Sequence, residues 1–176
     1  VTCLFCSAGT FSSAKETACG PCQTGKYQEL TAASEYKCKF CPPGTEFLSA
    51  SLAPVLCHPG TYQDENVAAP AICKSCIAGK FSNETGMKSD AGCSNCTEGK
   101  WSDKTGIVDD LQCKLCSAGK WSDEKGLPFD SWCKLCSEGR HSSEQGLIED
   151  AACQGLCSVG KFSNMRGLKS DAECKL

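Results

Sequence analysis

The chain has 176 residues, 18 of them cysteine, and a formal net charge of −3. Leu, Ile, Val and Phe together supply 29 of those residues. That is less than the roughly 20 % at which an ordinary core becomes doubtful, so the composition points to a crosslinked scaffold instead. No basic stripe suggests nucleic acid, and no apolar run approaches the roughly 18 residues that would span a membrane.

Cysteine pairs open the chain at loose spacing: Cys3-Leu4-Phe5-Cys6, Cys19-Gly20-Pro21-Cys22 and Cys38-Lys39-Phe40-Cys41. Gly9-Thr10-Phe11-Ser12, Gly25-Lys26-Tyr27, Gly44-Thr45-Glu46-Phe47 and Gly60-Thr61-Tyr62 mark one recurring short strand. The repeat that begins near Cys57 lacks the first cysteine of its pair, and Pro54 stands in that slot. The stretch from Leu48 to Leu56 is unusually apolar for a loop. It reads either as local packing that replaces the lost staple or, through Leu48, Leu52 and Leu56, as a contact with another chain. Residues 1–56 therefore form irregular N-terminal cysteine-rich repeats, and residues 57–176 regular ones.

In the regular part Cys73-Lys-Ser-Cys76, Cys93-Ser-Asn-Cys96, Cys113-Lys-Leu-Cys116 and Cys133-Lys-Leu-Cys136 return every 20 residues, and Cys153-Gln-Gly-Leu-Cys157 follows with one residue more. A Gly after each pair allows a sharp bend. Next comes Lys/Arg-aromatic-Ser, as in Lys80-Phe81-Ser82, Lys100-Trp101-Ser102 and Lys120-Trp121-Ser122, with Arg140-His141-Ser142 placing His in the aromatic slot. Polar residues ending in Gly86, Gly106, Gly126, Gly146 and Gly167 read as a hairpin loop with a left-handed Gly. The apolar residue after each of these glycines is expected to return to its own aromatic, so that Trp101 and Trp121 plug their own repeats. Asp90, Asp110, Asp130, Asp150 and Asp171 recur three residues before a cysteine and are expected to bond backbone amides in a turn there. Calcium would need six to eight oxygen ligands, which one Asp per repeat does not offer. Trp132 lies outside the repeat pattern and is a candidate contact residue.

The cysteine pair, the Gly-Thr/Lys-Tyr/Phe-Ser segment and the Gly-containing loop resemble the ephrin-receptor-like cysteine-rich repeat over essentially the whole chain. They are more distantly similar to tumour-necrosis-factor-receptor-type modules and to cysteine-rich surface proteins of protists. The resemblance implies a disulfide-laddered extracellular rod and transfers no ligand, because every matching residue belongs to the scaffold. The expected fold class is therefore small and disulfide-rich. It is an elongated tandem array of about nine repeats of ~20 residues, each a short stapled β-hairpin, with little helix.

Cysteine pairs at this spacing also fit zinc ribbons. All repeats look alike, however, with no longer linker after alternate pairs, which favours disulfides. Connectivity stays open on sequence alone. The simplest ladder joins the second cysteine of each pair to the first of the next: Cys6–Cys19, Cys22–Cys38, Cys57–Cys73, Cys76–Cys93, Cys96–Cys113, Cys116–Cys133, Cys136–Cys153 and Cys157–Cys174. It leaves Cys3 and Cys41 unpaired or crosslinked to another molecule. The alternative joins first to first and second to second, and strands Cys157. The absence of an initiator Met and signal peptide, and an ending at Cys174-Lys175-Leu176, read as a segment excised from a longer protein and cut mid-repeat.

Asn83-Glu84-Thr85 and Asn95-Cys96-Thr97 are N-glycosylation triplets, and the serines after the aromatic are possible glycan carriers or turn residues. Together these features suggest a secreted or cell-surface structural or adhesive protein. Its partners would be copies of itself or other extracellular proteins, with glycans attached, no cofactor and no metal. No nucleophile–base pair or phosphate-cradling loop suggests an enzyme. The other reading is a ligand-binding receptor ectodomain.

Overall fold

The glycine three residues after each second cysteine sets the course of the backbone. Gly79, Gly99 and Gly119 hold φ of +81°, +71° and +78°, a left-handed conformation that other residues adopt only under strain. The chain turns sharply there and enters a strand of only two residues. In the computed structural model, which describes residues 5–12, 18–31, 37–66 and 70–176, that strand pairs with the two residues between the cysteines of the next pair. Lys80 thus faces Asn95 and Phe81 faces Ser94, antiparallel.

Sixteen such strands form eight separate two-stranded hairpins among the described residues. Those of one compact unit (residues 1–75 and 84–92) are β1 Thr10–Phe11 with β2 Gly20–Pro21, β3 Lys26–Tyr27 with β4 Lys39–Phe40, β5 Thr45–Glu46 with β6 Val55–Leu56, and β7 Thr61–Tyr62 with β8 Lys74–Ser75. Those of the other unit (residues 76–83 and 93–176) are β9 Lys80–Phe81 with β10 Ser94–Asn95, β11 Lys100–Trp101 with β12 Lys114–Leu115, β13 Lys120–Trp121 with β14 Lys134–Leu135, and β15 Arg140–His141 with β16 Gly155–Leu156. The last repeat keeps only a single antiparallel bridge between Phe162 and Lys175. The described residues hold no α-helix, only short 3₁₀ turns such as Asp110–Gln112 and Asp130–Trp132.

Seven of the eight hairpins are closed by a disulfide, β5–β6 is not, and an eighth bond closes the last repeat. The bonds are Cys6–Cys19, Cys22–Cys38, Cys57–Cys73, Cys76–Cys93, Cys96–Cys113, Cys116–Cys133, Cys136–Cys153 and Cys157–Cys174, the pairing of second cysteine to next first cysteine. The order of bonds in sequence is thus a ladder of short loops, spanning 13 to 17 residues.

The repeats differ from expectation in what fills them. The apolar residue after the loop glycine does not return to its own aromatic. Ile107 bridges Phe81 of the preceding repeat in a parallel sense, Leu127 bridges Trp101, and Leu147 bridges Trp121. The aromatic therefore covers the cystine of the repeat that follows. Phe81 packs on Cys96, Ile107 and Cys113, Trp101 on Cys116, Leu127 and Cys133, and Trp121 on Cys136, Leu147 and Cys153. Backbone bonds hold the loop there, since Ser82 N–H donates to Ile107 O at 3.1 Å just beyond the preceding repeat's strand. In the irregular region the register holds but the residue types shift along it. Glu46, not Phe47, is paired in the strand, so Phe47 takes the slot that serine holds elsewhere.

Backbone bonds stitch successive repeats. In the second unit Gly79 N–H donates to Ser102 O, Gly99 to Ser122 and Gly119 to Ser142, each at 2.9 Å. Ser102 N–H donates to Leu127 O at 2.9 Å and Ser122 N–H to Leu147 O at 2.8 Å. In the first unit Gly9 N–H donates to Gln28 O and Gly44 N–H to Gln63 O, both at 2.7 Å. Gln28 and Gln63 replace the serine there and are almost fully buried, each with its side-chain NH2 bonded to a backbone carbonyl. Gln28 Nε2 donates to Thr10 O and Gln63 Nε2 to Glu65 O.

Candidate interaction surface

The sixteen bonded cysteines are scaffold. Even the one metal-like cluster among the described residues, Cys96, Cys113 and Asp110, has its two sulfurs joined to each other. Cys41 is unpaired and 1 % exposed. Burial pushes its thiol pKa up, so little thiolate forms near neutral pH. Of the expectations for it, Cys41 stands in this structure as the unpaired cysteine, with its sulfur enclosed in the folded repeat. Cys3 lies outside the described residues.

Asp110, Asp130, Asp150 and Asp171 do more than close a turn before the cysteine. Their carboxylates reach back to the amide that follows the previous cysteine pair. Thr97 N–H donates to Asp110 Oδ1 at 2.9 Å, Ser117 N–H to Asp130 at 2.8 Å, Ser137 N–H to Asp150 at 2.8 Å and Ser158 N–H to Asp171 at 2.7 Å. The strand lysine adds an ion pair, Lys120 Nζ to Asp130 Oδ2 at 2.6 Å and Lys161 Nζ to Asp171 Oδ2 at 2.7 Å, with Lys100 on Asp110 likewise. Burial of Asp130 favours its neutral form, but Lys120 and the Ser117 amide outweigh it and hold the pKa below the ordinary 3.8. Asp171 is held lower still, chiefly by Lys161.

The serines after the aromatic are inward turn residues. Ser82, Ser102, Ser122 and Ser142 are buried, and Ser102, Ser122 and Ser142 accept the amide two residues on. This geometry leaves those hydroxyls unsuited to glycans. Asn83 is exposed in a loop. Asn95 sits in β10 between two bonded cysteines, and its side chain lies against Gly126, at 2.9 Å from the position a Cβ there would take. The Thr97 hydroxyl of the same triplet is bonded to Asp110.

Leu48, Leu52 and Leu56 are all more than half exposed. Leu56 nevertheless has a scaffold role. It lies over loop Gly86, as Leu115 does over Gly146 and Leu135 over Gly167. Trp132 is 61 % exposed and is not alone. Val108, Leu111, Phe129 and Ile148 are exposed in the same stretch, between loop glycine and cysteine, of three consecutive repeats. This recurrence was hidden in sequence because none of these positions keeps one residue type. Around Trp101 and Trp121 the surface is polar instead. Lys114 and Lys134 lie 4.5 Å and 5.0 Å from the ring centroids, and both also pair with Asp103 and Asp123.

One repeat breaks the pattern. His141 takes the aromatic slot, and the extra residue of Cys153-Gln-Gly-Leu-Cys157 brings Gly155 directly under the imidazole, where a Cβ would stand 2.1 Å from Cε1. A shallow cavity of about 370 Å³ opens beside it, lined by Ser142, Ser143, Glu144 and Gln154. No helix of the described residues is long and apolar enough to cross a membrane. No protein-family model and no curated protein sequence matches the chain.

Proposed function

We propose that the chain is a structural or adhesive segment of an extracellular protein, built from ephrin-receptor-like repeats and carrying no catalysis. The observation that supports this best is the repetition of one disulfide and one set of inter-repeat backbone bonds through successive hairpins. A chain so dependent on cystine belongs in an oxidising compartment. Its chemistry is spent on scaffold, with carboxylates tied to amides and lysines. The partners are copies of itself or other extracellular proteins, and Asn83 is the better glycan site. A receptor ectodomain is the second reading. The exposed Val108, Leu111, Phe129, Trp132 and Ile148 favour it, since side chains of this kind mark protein contacts.

The test is surface labelling of the producing cell with a membrane-impermeant reagent, together with negative-stain imaging of the native material before and after reduction. Outside labelling and uniform fibres lost on reduction are the expected result. Labelling only after lysis overturns the extracellular reading. Single particles that lose a soluble protein ligand on Trp132→Asp move the assignment to a receptor.

A further inference from the structure

We propose that the shallow cavity beside His141 and Gly155 binds a lysine side chain of a partner protein, with Glu144 as its carboxylate. This deepens the adhesive reading above and rests on it for the extracellular setting.

Other hairpins show what the place is built around. In four of them a lysine faces the strand aromatic: Lys39 opposite Tyr27, Lys74 opposite Tyr62, Lys114 opposite Trp101 and Lys134 opposite Trp121. At Trp101 and Trp121 the ammonium lies 4.5 Å and 5.0 Å from the ring centroid. It also meets carboxylates of the loop that follows the ring. Lys74 reaches Asp64 at 2.8 Å and Glu65 at 3.1 Å, and Lys134 reaches Asp123 at 2.5 Å and Glu124 at 3.2 Å. Ring, ammonium and loop acid form one unit.

Hairpin β15–β16 keeps a ring and one acid but has no such lysine. His141 faces Gly155, and the imidazole leans into the space a Cβ there would take. Glu144 stands three residues after the ring, as Glu65 and Glu124 do, and forms no ion pair among the described residues. Arg140 does not replace the lysine, since its guanidinium donates to Cys153 O at 3.3 Å. The extra residue, Gln154, donates its N–H to Ala152 O at 2.9 Å. The cavity of about 370 Å³ is lined by Glu144, Ser143, Gln154 and His141. These offer a carboxylate, neutral oxygens and an imidazole, all of which suit an ammonium.

The opening does not depend on how many repeats follow. Lys114 and Lys134 keep 47 % and 40 % of their side chains exposed with later repeats stacked beyond them. The residue that the next repeat lends to the ring is also in place, Leu168 bridging His141 as Leu147 bridges Trp121. A shallow site of this kind takes a charge at the tip of a long apolar stem, and lysine on a docked chain is built that way.

Titration with butylamine, and with a pentapeptide carrying one lysine between glycines, tests this in the oxidised chain. The amide NMR signals of Ser143, Glu144 and Gly155 are the readout, and the same peptide with norleucine is the control. The expected result is a saturable shift with both amines and none with norleucine. Glu144→Gln should weaken binding about fivefold, the upper value for an exposed ion pair. Glu144 is exposed, and unmoved amide signals elsewhere verify that the variant folds. No saturable shift in the wild type overturns the proposal, as does an equal response to norleucine or an unchanged affinity in Glu144→Gln. Binding of butylamine without the peptide overturns the partner side chain in favour of a free amine. A second variant, His141→Trp/Gly155→Lys, supplies the chain's own lysine and should abolish the shift. Binding that persists in that variant, once folded, also overturns the site. Failure here with outside labelling intact overturns the lysine site alone and leaves the extracellular reading standing.

Discussion

Cys41 and Pro54 stand where the other repeats place the two ends of a bond. In β9–β10 the strand residue Phe81 faces Ser94, and the bonded Cys93 immediately precedes Ser94. In β5–β6 Glu46 faces Val55, and Pro54 immediately precedes Val55. Hairpin and register survive without the staple, so the second cysteine is the one missing part. Pro54→Cys is therefore expected to bond with Cys41, closing a loop as short as that of Cys6–Cys19, whose separation is 13. A loop of this size contributes about 3 kcal/mol in the chain-entropy model. Peptide mapping should find the ninth bond and thermal unfolding should shift upward. Two alkylatable thiols at these sites would show that the register argument fails. At Asp130 the pKa is lower in the folded chain than the ordinary 3.8, through Lys120 and Ser117. The carboxylate thus stabilises the fold fully above that ordinary value, and its contribution is lost as pH falls through the folded one. Asp130→Asn should lower thermal stability at pH 6 and flatten the acid side of the stability curve. An unchanged acid limb would assign the pH dependence to the other aspartates.

At the scale of the element, the close approach of glycines separates conformational cost from stacking cost. Gly99 and Gly139 hold nearly the same φ, +71° and +73°, so alanine at either pays a similar left-handed penalty, about 1–2 kcal/mol. Only at Gly99 does the new Cβ strike a neighbour, the Gly146 carbonyl. Gly99→Ala should therefore lose clearly more stability than Gly139→Ala in dilute solution, measured by chemical denaturation of the oxidised chain. Equal losses would mean that the repeats slide apart at little cost. The hairpins and staples were legible in sequence because a cysteine pair and the glycine behind it are local signals. Which repeat Ile107 or Leu127 serves was not legible. In a tandem array the residue one repeat earlier has the same chemistry, so composition cannot tell a contact within a repeat from one between repeats. Cys41 was legible as the odd cysteine, through Pro54, but its burial was not, because enclosure depends on packing that spacing does not encode. The close approach of glycines between repeats had a weak signal, the paired recurrence of Gly79 with Gly86 and Gly99 with Gly106, which reads as two turns until stacking is seen.

For the molecule as a whole, stability follows from how little each repeat buries. The cluster around Cys96–Cys113 contains Ile107 and part of Phe81, and that around Cys116–Cys133 contains Leu127 and part of Trp101. One aliphatic and half an aromatic do not offset the ordering of ~20 residues, each costing about 1–2 kcal/mol of backbone entropy. The bonds act on the unfolded chain, and stacking passes the order gained to the next repeat. Complete reduction should then abolish the near-ultraviolet signal of Trp101 and Trp121, and retention of that signal would refute the dependence on cystine. Removal of one bond is a finer test. Cys116→Ser/Cys133→Ser deletes the sulfur platform under Trp101 while leaving the cystines on either side. Because the inter-repeat bonds join neighbours in sequence, the loss should be graded. Hydrogen exchange should quicken first at Ser102 and Gly119, whose amides donate to Leu127 and Ser142. It should change less at Lys161 and Phe162, which belong to the last repeat. Uniform acceleration along the second unit would instead show that its hairpins unfold together as one cooperative block.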